Sequence, residues 1–359
     1  MLNVVASPAF TLSGRGIDAS EITPALLQET LQEADGVEAN VVTGYHAVEF
    51  LLLGQDLNGT GPGAGERPWT DYASGDGCTN GNCDRRADYL SVATGLLVDD
   101  LAEMARAWSE DGVARAALMA DEGLGISAIL TGMGSLSYGE LAGERMKLGV
   151  MLNDPEKEHD CFSDNTHMSH YYDGIGIRNV YLGSYTRPDG SVVSGASLSD
   201  LVAAADPAVD AQLRAELDAS VAALGAIRDA ATGGMAYDQM LARDNAEGEA
   251  LILGAVDMLV TQTHPVDRAR RGGPRSRRDQ RRGVRQLRQP QRRIPVGLRA
   301  MIVCHCNAIT DRDMRAPVDW MRAADAQTII TPGKVYRALG KRPDCGGCLP
   351  TFYGDPDGL

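Results

Sequence analysis

Aromatic side chains are scarce in this sequence, with four Phe and three Trp among 359 residues. A core with so few rings must come from alanine, leucine and glycine, which favour helices packed through small side chains. No apolar run reaches the roughly eighteen residues of a membrane-spanning helix. The opening residues, MLNVVASPAF, have neither the basic start nor the long apolar stretch of a secretory signal, so no signal peptide is expected in the chain as written. Before residue 264 no segment alternates convincingly between apolar and polar residues, which argues against a sheet. The HExxH pattern is absent, and with it ordinary zinc-peptidase chemistry.

What is present is distributed unevenly. The net charge of −15 resolves into three blocks. Residues 1–263 carry 14 Lys+Arg against 40 Asp+Glu, residues 264–300 carry 13 Arg against two Asp, and residues 301–359 carry seven of each sign. Charge asymmetry this abrupt marks boundaries. Seven cysteines divide the same way. Cys78 and Cys83, in GDGCTNGNC, suit a disulfide of an oxidising compartment, and Cys161 stands alone. Cys304, Cys306, Cys345 and Cys348 form two close pairs, CxC and CxxC, more typical of ligands in a reducing one.

The periodicity of residues 1–263 predicts an all-α fold, a bundle of long helices. A helix is expected after Ser20 as N-cap, with Leu26, Leu27 and Leu31 on one face, and a buried one over VVTGYHAVEFLLLGQDL. Residues 57–83 read as a long surface loop. A long helix from Asp84 to about Asp111 places Tyr89, Val92, Ala93, Leu96, Leu97, Leu101 and Met104 along one stripe, and a helical stretch with GISAILTGMGSL follows. Two more helices are expected over 200–228 and 237–263.

Residues 264–300 have almost no apolar pattern and read as a basic disordered linker. Without aromatic interleaving or a helical stripe, specific nucleic-acid binding is not expected. A frame-shifted reading accounts for the arginines, because CGN codons read one base later begin with G and encode Ala, Val, Asp, Glu or Gly. One feature is compelled by the code. Met301 followed by an Ile codon yields TGA in the shifted frame, a stop overlapping a start.

Two motifs carry chemistry. In GYHAVE, Gly44, His46 and Glu49 form GxHxxE, which on a helix puts the imidazole and the carboxylate on one face. Such a pair can share a metal, can orient the imidazole as a base, or can be a buried structural hydrogen bond. At the other end, MIVCHCNAITDRD and RPDCGGCLP can bring four thiolates together. Spacing alone leaves an iron–sulfur cluster, a structural zinc site and two disulfides open.

GYHAVEFLLLGQDL, GPGAGERPWTDY and CFSDNTHMSHYYDGIGIRNVYLG together resemble the imelysin family. The resemblance implies an all-α, iron-regulated protein of the bacterial periplasm or cell envelope, classed with metallopeptidases (peptidase M75) on the strength of GxHxxE. It makes the first part an N-terminally truncated imelysin-like bundle. His46 and Glu49 are then the expected metal or catalytic pair, and Asp164, His167 and Arg178 are added from the second polar run; Asp56 and Asp71 read as helix caps.

MIVCHCNAITDRD and TPGKVYRALGKRPDCGGCLP resemble bacterioferritin-associated ferredoxins, small helical cytoplasmic domains. That resemblance implies a 2Fe–2S cluster on Cys304, Cys306, Cys345 and Cys348, electron transfer for iron mobilisation, and bacterioferritin and a ferredoxin reductase as partners. His305 has no ligand role beside four cysteines, and Lys341 and Arg342 are expected to face an acidic partner or solvent. The whole chain is therefore expected to serve iron homeostasis. The alternatives are a metallopeptidase and a non-catalytic envelope interaction protein.

Overall fold

The computed structural model describes residues 2–34 and 40–272, together with the backbone of 302–304 and 309–310. The Arg-rich segment beyond Gly272, and Cys306, His305, Lys341, Arg342, Cys345 and Cys348, lie outside the described residues.

The chain opens with α1 (Leu2–Ala6) and a hairpin of β1 (Ala9–Leu12) and β2 (Arg15–Asp18). A π-helical turn over Leu26–Leu31 leads to α2 (Tyr45–Leu53), α3 (Cys83–Ala107), α4 (Val113–Met119) and α5 (Glu122–Ser135). A second π-helical stretch, Leu136–Lys147, runs into α6 (Leu148–Leu152) and then α7 (Thr166–Leu182). A small hairpin, β3 (Ser184–Thr186) with β4 (Val192–Ser194), precedes α8 (Leu198–Ala205), α9 (Pro207–Thr232), α10 (Tyr237–Met240) and α11 (Ala246–Gly272). Further on, β5 (Ile302–Cys304) pairs antiparallel with β6 (Ile309–Thr310).

The protein is mostly helical, as its periodicity implies, but two hairpins before residue 264 correct the strand-free expectation. Each has only two short strands, too few residues to leave an alternation signal. Ser20 caps no helix: it is exposed and its amide donates to Asp18 Oδ1 at 2.9 Å. The turn starts at Leu26 instead, whose amide donates to Thr23 Oγ1 at 3.1 Å. The last helix runs past residue 263, carrying Pro265 inside it and burying Val266 and Ala269.

The described residues fall into two compact units. The first takes in 2–34, 40–120, 144–179 and 216–258; the second takes in 121–143, 180–215 and 259–272. The first unit has a core of Val4, Ile17, Leu26, Leu27, Leu31, Leu51, Tyr89, Ala93 and Leu96. Each fully buried leucine contributes roughly 1.5–3 kcal/mol over an exposed one. The apolar stripe of α3 is buried only as far as Leu96. Leu101 and Met104 are 43% and 61% exposed, because the helix there extends beyond that core. In the second unit, Asp210 organises a buried polar centre. It accepts hydrogen bonds from Tyr181 Oη at 2.8 Å, from Ser199 Oγ and from Arg214 Nε at 3.1 Å. Among the described residues, no helix is long and apolar enough to cross a membrane.

Candidate metal centre

The helix bearing GxHxxE is shorter than its apolar run suggests, and two glycines set its ends. Gly44 precedes α2 at φ +85° and Gly54 follows it at φ +80°, a region that L side chains reach only under strain. Nothing lies within 4 Å of a Cβ built on Gly44, so the motif's glycine answers to backbone conformation and not to lack of room. The approach to the helix is fixed by Gln32, whose Oε1 accepts from the amides of Val42 and Thr43 at 3.0 and 3.2 Å. Tyr89, fully buried on α3, donates to the Val42 carbonyl at 2.7 Å.

The far end of α2 is held by the RPWTDY segment. Tyr72 Oη donates to the Leu51 carbonyl, and the Arg67 amide donates to the Leu53 carbonyl at 2.8 Å. Behind them, Asp71 is no helix cap. It is 1% exposed and accepts from Thr79 Oγ1 at 2.6 Å, Asn80 Nδ2 at 2.7 Å and Arg67 Nη1 at 3.0 Å. The loop is closed by the Cys78–Cys83 disulfide, as its spacing implies.

His46 and Glu49 do share one face. Nδ1 of His46 meets Glu49 Oε2 at 3.0 Å, and Ser163 donates to the other Glu49 oxygen at 2.6 Å. Ser163 belongs to the segment between α6 and α7, which delivers two further groups. Asp160 Oδ1 lies 3.7 Å from His46 Nδ1, and the His159 ring stands edge-on to His46 with centroids 4.7 Å apart. Donor atoms of His46, His159 and Asp160 all lie within 4.8 Å of one another, the one such group of three His, Cys, Asp or Glu residues among the described residues. The Asp160 amide donates to Thr166 Oγ1 at 2.8 Å, and Ser169 Oγ donates to its carboxylate.

The electrostatics follow from these contacts. The hydrogen bond that His46 makes to Glu49 raises its proton affinity, burial opposes this, and Asp160 reinforces it. Burial pushes Glu49 up, but its hydrogen bonds with His46 and Ser163 outweigh that and hold it below the usual carboxylate range. His159 is lowered by burial and by Arg145, whose guanidinium lies against its ring. A row of rings continues inward. His170 stacks at 6.3 Å from His159 and meets Tyr237 edge-on at 5.2 Å. Fully buried, His170 is pushed down to about 3, by burial first and then by His159, Arg145 and His167, so it is a neutral imidazole. Burial, with the nearby Glu156, Glu158 and Glu49, pushes the free thiol of Cys161 up to about 12, so it is no thiolate.

Of the other residues chosen from sequence, His167 turns its Nδ1 to the Asp164 carbonyl at 3.1 Å. Asp164 sits with other carboxylates; burial and Asp56 raise its proton affinity. Arg178 forms a 2.6 Å ion pair with Asp218, with 36% and 60% of the two side chains exposed. Exposed pairs of this kind contribute about 0–1 kcal/mol. Sequence reasoning missed His159 and Asp160 as partners of His46. Their one signal was the density of polar residues after residue 158.

The imelysin (peptidase M75) family model matches residues 4–266, which include the helix, the clamp and the polar segment just described. This chain belongs to the imelysin family. No curated protein matches it. Within this imelysin, GxHxxE supplies His46, one of the three clustered donors, and the segment before α7 supplies His159 and Asp160.

Proposed function

We propose that this imelysin binds a divalent transition-metal cation, as cargo, at His46, His159 and Asp160. The convergence of two imidazoles and one carboxylate carries the reading. This donor set suits Fe(II) and Zn(II), for which imidazole nitrogen and carboxylate oxygen are favourable ligands. His159, lowered by burial, is in the neutral form that coordinates metal. Glu49 serves from behind, accepting from His46 Nδ1 and fixing the ring's orientation. Cation entry displaces Arg145 from the His159 ring. Within iron homeostasis the cargo is iron, in keeping with the iron-regulated character implied by the resemblance.

A metallopeptidase reading is weaker. It needs a carboxylate free to take a proton from water. Here both Glu49 oxygens are engaged, and the group is held in its charged, weakly basic form. In the test, His46→Ala and His159→Ala each reduce Fe(II) or Zn(II) affinity of the full chain at least tenfold while helicity is kept. Unchanged affinity in either variant makes the pair structural. Hydrolysis of peptides by the wild-type chain, lost with Glu49→Gln, restores the enzyme reading.

For residues 301–359 the proposal is a 2Fe–2S electron-transfer site on Cys304, Cys306, Cys345 and Cys348, supported by the CxC and CxxC spacing. The segment 264–300 is proposed to be an out-of-frame reading. Supporting it, the family match ends at residue 266, where the arginine run begins, and the shifted frame meets its stop at Met301. The gene's second frame is expected to stay open from codon 264 to that stop with helical apolar periodicity. A stop codon earlier in the interval refutes this.

A further inference from the structure

The segment that delivers His159 and Asp160 meets a cation already built into the chain. Arg145, at the end of the π-helical stretch Leu136–Lys147, reaches His159 with its guanidinium. One nitrogen, Nη1, bonds Nδ1 of that ring and lies 3.2 Å from Nε2. Both residues belong to the first unit. The charge is felt across the cluster: Arg145 lowers the proton affinity of His46, His159 and the buried His170. Glu49 and Asp160, 3.0 and 3.7 Å from His46 Nδ1, supply the opposite sign.

This contact and a bound metal ion need the same electrons. A neutral imidazole has one nitrogen with a lone pair to give, while its other nitrogen carries a proton. A guanidinium has no acceptor and can only donate, so whichever tautomer His159 adopts, Arg145 donates to that one lone pair. Metal coordination uses the lone pair as well, with the ion about 2.1 Å from nitrogen. Such an ion would also stand within roughly 5 Å of Nη1, where two cations repel one another strongly. Arg145 must therefore leave before His159 can ligate.

We infer that Arg145 is a tethered competitor for the cargo cation, one that sets the affinity of the site and speeds release of the ion. With the transition metal at His46, His159 and Asp160, as proposed above, binding is an exchange of one cation for another. In the cargo-free chain the carboxylates keep a positive neighbour. The chain that accepts metal is only the fraction from which the guanidinium has swung away, and apparent affinity falls by that fraction. When the ion leaves, the returning guanidinium takes the lone pair and blocks rebinding. The arrangement suits a carrier that hands its metal on, and not a site that retains it.

Zn(II) is the probe, titrated into the full chain. The component lost in His46→Ala is the one followed, which sets aside any ion held by the cysteines. Arg145→Gln, or Arg145→Met with its long apolar stem, is expected to raise the affinity of that component at least tenfold and to slow its release to a chelator. In a His159→Ala background the same substitution should change affinity less than threefold, because the competitor has lost its ring. A tenfold gain that persists there is a plain charge effect and overturns the inference. In the wild type, phenylglyoxal modification of Arg145, mapped by mass spectrometry, is expected to rise when Zn(II) binds, a readout that stands even if neither variant folds. Labelling that ignores Zn(II) overturns the inference. Equal or weaker binding by a folded Arg145 variant does the same and leaves the metal site in place, whereas a wild type with no His46-dependent component overturns both readings.

Discussion

Asp71→Ala is expected to destabilise the first unit by about 3–5 kcal/mol, the usual cost of stranding buried charges by removing their partner. Asp71 is 1% exposed and accepts from Thr79, Asn80 and Arg67, with Arg86 Nη1 at 3.9 Å. Truncation leaves the guanidinium groups of Arg67 and Arg86, 13% and 9% exposed, without their carboxylate. The effect reaches the proposed metal site, because Arg67 also grips the end of α2 through the Leu53 carbonyl. Urea denaturation is expected to show a large fall in midpoint, and metal affinity at His46 should fall with it. An unfolding free energy within about 0.5 kcal/mol of wild type removes Asp71 from this role.

The same residue sets a pH dependence. Burial pushes its carboxyl up, but the hydrogen bonds from Thr79, Asn80 and Arg67 prevail and hold it below the usual range. A carboxyl whose folded pKa lies below its unfolded one contributes stability that is fully present above the unfolded value. That contribution is lost as pH falls through the folded value. The stability gap between wild type and Asp71→Asn is therefore constant near neutrality and closes in acid. A gap that widens in acid reverses the sign and refutes the assignment.

In the C-terminal region, the full chain purified without oxygen is expected to be red-brown, with two irons and two sulfides. Cys345→Ser or Cys348→Ser should abolish both. Losing one of four thiolate ligands exposes the cluster to hydrolysis, so the loss is expected to be complete and not graded. The helicity of the two described units should not change. One zinc per chain in place of iron and sulfide refutes electron transfer and makes the cysteines a structural site. The described backbone there is the hairpin that pairs Ile302 with Thr310 and Cys304 with Ile309, at the first cysteine pair.

Much of the fold was legible from periodicity, because a helix advertises its buried face every three or four residues. Tyr89, Ala93 and Leu96 are buried as the stripe implied, and the Cys78–Cys83 bond follows from its loop. What periodicity could not show was where a stripe ceases to face anything. Leu101 and Met104 continue the pattern of α3 but stand in solvent. Short hairpins were invisible for the opposite reason, having too few residues to set a period.

For the site, sequence alone determined the local half: a glycine, then His46 and Glu49 one helical turn apart, close enough to bond wherever the helix forms. The other half was a matter of tertiary structure. His159 and Asp160 lie more than a hundred residues downstream in a segment without regular periodicity, and nothing in their spacing points to His46. Asp71 shows the same limit, since a carboxylate in a polar loop reads as a cap until folding surrounds it with Arg67, Arg86, Thr79 and Asn80. Backbone-local contacts are written in the order of residues. Contacts between distant segments exist only once the core has brought those segments together, and the residues of this candidate site are of both kinds.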